Sequence, residues 1–316
     1  MYIEQGYKGK LGAWSFFIIP GLFMVFMAFN YVATMMMLDE TDQSTEQMIS
    51  QMIDAVGKNV FLVLNLSIFV VGLIAIFIWA KFINGRSITS LTTSRDKIDW
   101  KRIFFMFTLW GIFSAGMILL SVYLAPDDYI LQFDWQKFLP LLVISLLMFP
   151  FQTSFEEYLF RGQLLQGLGI ATKSRAVAWI LTSVLFGLMH AANPEVEKLG
   201  FEVMIFYIGT GLVLGAMTLL DEGLELALGF HAANNIVIAL MLTMSWTAIQ
   251  TDSVYVGIAE PTALAAIDII PVVIGYPILL IILGKIYKWK NWKEKLFGKV
   301  EVRKIAEPDT IDYQQP

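Results

Sequence analysis

The sequence predicts an all-α fold, a polytopic transmembrane helix bundle of about eight spans, and three observations carry that reading. Hydrophobic residues make up 57% of the 316 positions, above the roughly 45–50% of a soluble domain, and the mean hydropathy is +0.65. The excess is gathered into blocks of about 20 residues, the length a helix needs to cross roughly 30 Å of hydrocarbon. No segment alternates like a barrel strand, and lipid offers no partner to open backbone groups, so the blocks read as helices.

The spans fall at about 13–38, 60–83, 102–125, 137–160, 176–192, 201–220, 226–249 and 264–286. The first block has no short apolar region followed by a small-residue cleavage site, and it reads as a retained span. Residues 1–136 hold three spans and an amphipathic outer loop. Residues 137–249 form the central unit, 250–286 the final span, and 287–316 a basic cytoplasmic tail whose end reads as disordered. In the outer loop, Met48, Ile49, Met52, Ile53 and Val56 recur at helical spacing. Ser44 and Gln47 stand in the positions of a capping box, so a short interfacial helix is expected there. Gly211 and Gly215 have the spacing of a close helix contact. Pro150 and Pro277 are expected to kink their spans, and the Pro150 kink could widen a cavity beside Glu156.

Orientation follows from charge. Nineteen of the 22 Lys and Arg fall on the side that carries both termini, and only Lys58, Lys137 and Lys198 on the other. The positive-inside rule makes the first side cytoplasmic. The turn Asp221–Glu225 is an exception, acidic on a basic face. In the tail, Tyr287, Trp289 and Trp292 interleave with lysines, a mix suited to anchoring on the lipid bilayer. The chain has no cysteine, which excludes disulfides, thiolate nucleophiles and Cys-ligated metal. No phosphate loop or nucleic-acid motif is present.

Ionisable groups within spans are costly, and each calls for a function or a partner. The fourth span ends in Ser154-Phe-Glu156-Glu157-Tyr-Leu-Phe-Arg161. Glu157 and Arg161 stand four apart and can pair on one helix face. Glu156 is rotated about 100° from them. A poorly solvated carboxylate there is suited to general-base work. The two histidines of the chain both lie in apolar stretches, with Phe186 four residues before His190 and Asn235 four residues after His231. If spans four and five meet at a turn near Gly169–Lys173, Glu156 and His190 lie roughly 22 and 27 Å from it, about one helical turn apart in depth. His231 joins them only if the Asp221–Gly223 turn is sunk into the protein.

Glu156-Glu157-x-x-x-Arg161, Phe186-x-x-x-His190 and His231-x-x-x-Asn235 occur in the order of the three motifs of the CPBP family, which the chain resembles over about residues 137–249. That family comprises type II CAAX prenyl endopeptidases, bacteriocin-processing proteins and their Abi-like relatives. The resemblance implies an intramembrane glutamic endopeptidase that needs no cofactor. Glu156 would be the base, working with His190 on a water. His231 and Asn235 would stabilise the oxyanion, and Glu157 with Arg161 would support them. Two His and a Glu also suit catalytic zinc, which is the runner-up. The expected partner is a membrane-associated protein or peptide substrate, reached from the cytoplasmic side. The expected location is a bacterial inner membrane with both termini cytoplasmic. A non-catalytic scaffold of the same fold is the alternative, and a proton-coupled transporter is disfavoured by the absence of an inverted repeat.

Overall fold

A computed structural model describes residues 1–41, 43–259 and 269–301 of the chain. The protein is an all-α bundle. The long helices are α1 (Ile18–Thr41), α3 (Lys58–Ile78), α5 (Trp100–Leu124), α6 (Trp135–Glu157) and α10 (Met204–Asp221). Taken with the turns that extend them, they form five helices long and apolar enough to span a membrane. Three shorter apolar helices accompany them: α8 (Arg175–Leu188), α11 (Glu225–Met241) and the stretch Pro271–Ile286, which ends in α12 (Tyr276–Ile286). Each of the eight predicted blocks therefore contains a helix. Residues 264–268 of the last block, and the tail end expected to be disordered, lie outside the described residues.

Two boundaries differ from the sequence reading. The fourth span does not stop near residue 160. It continues through a π-helical segment, Tyr158–Leu164, into α7 (Leu165–Thr172), and Lys173 ends it in the left-handed conformation. The seventh stops at Met241, where the chain turns extended as β2 (Leu242–Met244). This strand joins β1 (Tyr129–Leu131) and β3 (Tyr255–Gly257) in the order β1-β3-β2. Three-residue strands leave no periodicity to detect, and the sequence reading missed them.

Helix starts follow local chemistry. Asp99, Asp134 and Ser174 each accept a hydrogen bond from a backbone amide in the first turn of α5, α6 and α8. The expected outer helix is α2 (Thr45–Val56), with both halves of the Ser44–Gln47 capping box formed. Its inward face is Ile49 and Ile53, while Met52 and Val56 point out. Glycine sets the closest helix contacts. A Cβ on Gly211 would lie 2.6 Å from the Ser183 carbonyl oxygen of α8, and one on Gly229 would lie 2.2 Å from the Ile103 carbonyl oxygen of α5.

The basic face is held by buried ion pairs. Asp221, at the end of α10, accepts from Arg95 at 3.0 Å, from Arg102, and from the Trp289 indole at 2.8 Å. Glu225 pairs with Arg95 at 3.2 Å and Glu222 with Lys295 at 3.3 Å. The acidic turn is thus neutralised by basic residues brought from elsewhere in the chain. The tail aromatics take part in this packing: Tyr287 lies beneath the Arg102 guanidinium at 4.1 Å, and Trp292 packs on Gly284. Residues near the beginning of the sequence fill the same face. Tyr2 is fully buried, donating its amide to Glu222 at 2.5 Å and its hydroxyl to the carbonyls of Leu91 and Arg161 at 2.7 and 3.3 Å.

Candidate active site

The end of α6, the end of α8 and the first half of α11 converge at mid-bundle. The Asp221–Glu225 turn is sunk, with Asp221, Gly223, Leu224 and Glu225 buried, and this brings His231 level with Glu156. Glu157 and Arg161 share a helix face as their spacing predicts, 3.0 Å apart and both fully buried. Arg161 also donates to the Gly211 carbonyl at 3.0 Å. Two buried charges in low dielectric need such pairing and hydrogen bonding to be tolerated.

Glu157 does more than hold Arg161. The same Oε1 accepts from His231 Nδ1 at 2.8 Å. This fixes the ring and turns Nε2 toward Glu156, whose Oε2 lies 3.5 Å away. That Oε2 is buried and has no hydrogen-bond partner among the described residues. The other oxygen, Oε1, accepts a short hydrogen bond from the Gln152 amide. Gln152 in turn accepts from Asn235 Nδ2 at 3.0 Å. One side chain therefore ties Glu156 on α6 to Asn235 on α11. Asn234, the preceding residue, accepts a hydrogen bond from the Trp110 indole at 3.2 Å.

His190 is placed by different means. Its Nδ1 sits 2.9 Å from the Phe186 carbonyl one turn back, the separation of an N–H donor to a carbonyl. That tautomer leaves Nε2 as an acceptor. The ring lies flat on Tyr207 of α10, centroids 4.3 Å apart and planes 17° apart. The Tyr207 hydroxyl accepts from Asn193 at 3.2 Å. Phe186 touches both imidazoles, with ring centroids 5.0 Å from His190 and 5.9 Å from His231. Glu156 and His231 are close enough to His190 to act on its charge. The structure thus gathers Glu156, Glu157, Arg161, His231 and Asn235 into one hydrogen-bonded set, with His190 joined through Phe186 and through space.

Gln152 and Tyr207 escaped the sequence reading. Gln152 stands one turn before Glu156, a spacing that would have flagged it as a partner on the same face. Tyr207 had no such signal, because only tertiary packing brings α10 against α8. Among the described residues, no three His, Cys, Asp or Glu side chains are grouped so as to hold a metal ion. The Nδ1 atoms of both histidines are already committed, to Glu157 and to Phe186.

The bundle, with helices long and apolar enough to span a membrane, holds two buried carboxylates, a buried arginine and two oriented imidazoles in one polar cluster, the class of an integral membrane protein with a polar interior. Residues 134–237 are similar to the type II CAAX prenyl endopeptidase Rce1-like family, in keeping with the CPBP resemblance. The matched segment takes in Gln152, Glu156, Glu157, Arg161, His190, Tyr207, His231 and Asn235. The chain is also 34% identical over 184 residues to YyaK of Bacillus subtilis (strain 168), described as an uncharacterized protein. That similarity covers 58% of this chain and 60% of YyaK. No solved structure matches the chain.

Proposed function

We propose that the protein is an intramembrane endopeptidase that hydrolyses a peptide bond of a membrane-associated protein or peptide with a glutamate-activated water. The carrying observation is the pair formed by Glu156 Oε2, buried and without a hydrogen-bond partner among the described residues, and His231 Nε2, 3.5 Å away. Each is anchored from behind, Glu156 by Gln152 and His231 by Glu157. A carboxylate held this way presents one lone pair to a water, with its angle fixed.

In this reading the water oxygen attacks the scissile carbonyl carbon while Glu156 takes one of its protons. The same proton passes to the amide nitrogen as the C–N bond breaks. The products are a carboxylic acid and an amine, so protons and electrons balance without a further reactant. His190, with its Nε2 free to accept, helps to hold the water. Asn235, through its second amide proton, and His231, in the form protonated on both ring nitrogens, are the proposed donors to the charge that develops on the carbonyl oxygen, and such donors are worth about 3–4 kcal/mol each. Glu157 positions His231, and Arg161 neutralises Glu157. The chemistry requires no metal, and no cofactor is proposed. The location proposed is a bacterial inner membrane.

The test is trapping and turnover in purified, membrane-reconstituted protein. Glu156→Gln should retain a bound substrate that mass spectrometry identifies. It should also lose cleavage by about 10²–10⁴-fold, the usual contribution of a positioned base. Wild-type turnover by both Glu156→Gln and His190→Ala would remove this mechanism. Stoichiometric zinc, with activity lost on chelation and restored by zinc, would replace it with a metal-dependent one. A cellular phenotype that persists in both variants would favour the scaffold reading.

A further inference from the structure

Burial is distributed unevenly about the site. On the side of the basic loops three stretches of the bundle are buried at every residue, 155–167, 213–221 and 223–233, beneath a surface cavity lined by Arg95, Arg102 and Lys295. Tyr2 and the Arg95–Arg102–Asp221–Glu225 network lie across that end. On the other side the same helices part. His190, Asn193, Tyr207, Asn234 and Asn235 are all only half-buried, and Ala192 and Ser245 on the rim are exposed. Two imidazole or phenol rings and three carboxamides would be costly against hydrocarbon at that depth. Their convergence therefore calls for water and not lipid on that side. A hydrogen bond from the Ala248 amide to Glu195 Oε1 at 3.0 Å bridges the two rims.

From this asymmetry we infer that the site takes its substrate from the face opposite the basic loops. Because Lys and Arg are concentrated on the closed face, the positive-inside rule makes the open face extracytoplasmic. The substrates are then exported or membrane-tethered polypeptides that present their scissile segment outside the cytoplasm. This is the reverse of the cytoplasmic opening expected from the sequence, and it rests on the endopeptidase reading only for the word substrate.

The chain has no cysteine, so single-cysteine variants report access without background. Intact cells expressing Ala192→Cys, Asn234→Cys or Lys290→Cys are treated with a small membrane-impermeant thiol reagent, and inside-out vesicles are treated in parallel. Ala192→Cys and Asn234→Cys should react in intact cells, and Lys290→Cys only in the vesicles. Reaction of Asn234→Cys from the inside, from both faces or from neither overturns the inference. So does reaction of Ala192→Cys from the inside, which keeps the test decisive if Asn234→Cys fails to fold. The readout does not involve cleavage. A protein labelled as expected but with a fully active Glu156→Gln variant would lose its proposed mechanism and keep its outward-facing mouth.

Discussion

Glu157 carries two obligations at once, and they separate in their consequences. Its Oε1 receives both Arg161 and His231, so removing it disorients an imidazole and strands a fully buried guanidinium. Breaking a buried pair from one side costs about 3–5 kcal/mol. Glu157→Ala is therefore expected to lower the thermal unfolding temperature of the purified protein as well as to abolish cleavage. The double variant Glu157→Ala/Arg161→Met should recover much of the stability and none of the activity. Gln152 makes the opposite prediction. It touches Glu156 and Asn235 but carries no charge, and Gln152→Met keeps its length. Turnover should fall by at least about tenfold, in line with the cost of small misplacements in a reaction centre, while the unfolding temperature stays near that of wild type. Equal losses in both quantities would make Gln152 a structural residue only. The Glu157–Arg161 pair could be read from spacing, because i,i+4 neighbours must meet on a helix. The second duty of Glu157 could not, because His231 arrives 74 positions later from another helix.

Among the elements, the glycines decide how closely helices approach. Gly211→Ala would place a methyl 2.6 Å from a backbone oxygen of α8, which cannot swing aside as a side chain can. Overpacking of this kind costs about 1–3 kcal/mol, and the loss should appear as a lowered unfolding temperature. Gly116 on α5 has nothing within 4 Å of such a methyl, so Gly116→Ala is the matched control and should leave stability unchanged. The eight helical blocks were legible because hydrocarbon imposes their length and composition. The π-helical run at Tyr158–Leu164 and the three short strands were not, since each depends on contacts made after the spans assemble. The small helix α9 (Pro194–Leu199) is of the same kind. Its Glu195 is pushed above the ordinary carboxylate range by burial, against the pull of the Ala248 amide. A raised acid favours the folded state below its unfolded value, and that contribution is lost as pH rises through its folded one. The protection of the Ala248 amide against hydrogen exchange should therefore fall with rising pH in the wild type and hold steady in Glu195→Gln.

For the whole molecule, the charge distribution and the burial distribution coincide. The face rich in Lys and Arg is also the face that is shut. The charge pattern was legible in the sequence, but the sealing was not, because it depends on pairs such as Arg102–Asp221 and Lys295–Glu222, whose partners are far apart in the chain. Tyr2→Phe tests the seal directly. It deletes the hydroxyl that serves the Leu91 and Arg161 carbonyls. A lost buried hydrogen bond of this kind costs about 1–3 kcal/mol, so the unfolding temperature should drop with no change in the side from which Asn234→Cys is labelled.

The seal also sets an order of events during synthesis. Tyr2 waits for Glu222, 220 positions later, and Glu4 waits for Arg175, 171 positions later. At ribosomal rates of about 5–20 residues per second, the first of these intervals lasts roughly ten to forty seconds. Throughout that time the Tyr2 amide lacks its Glu222 partner, while one span after another leaves the insertion machinery. A ribosome arrested before Glu222 would therefore leave a chain with most of its spans inserted and its basic end still unlatched.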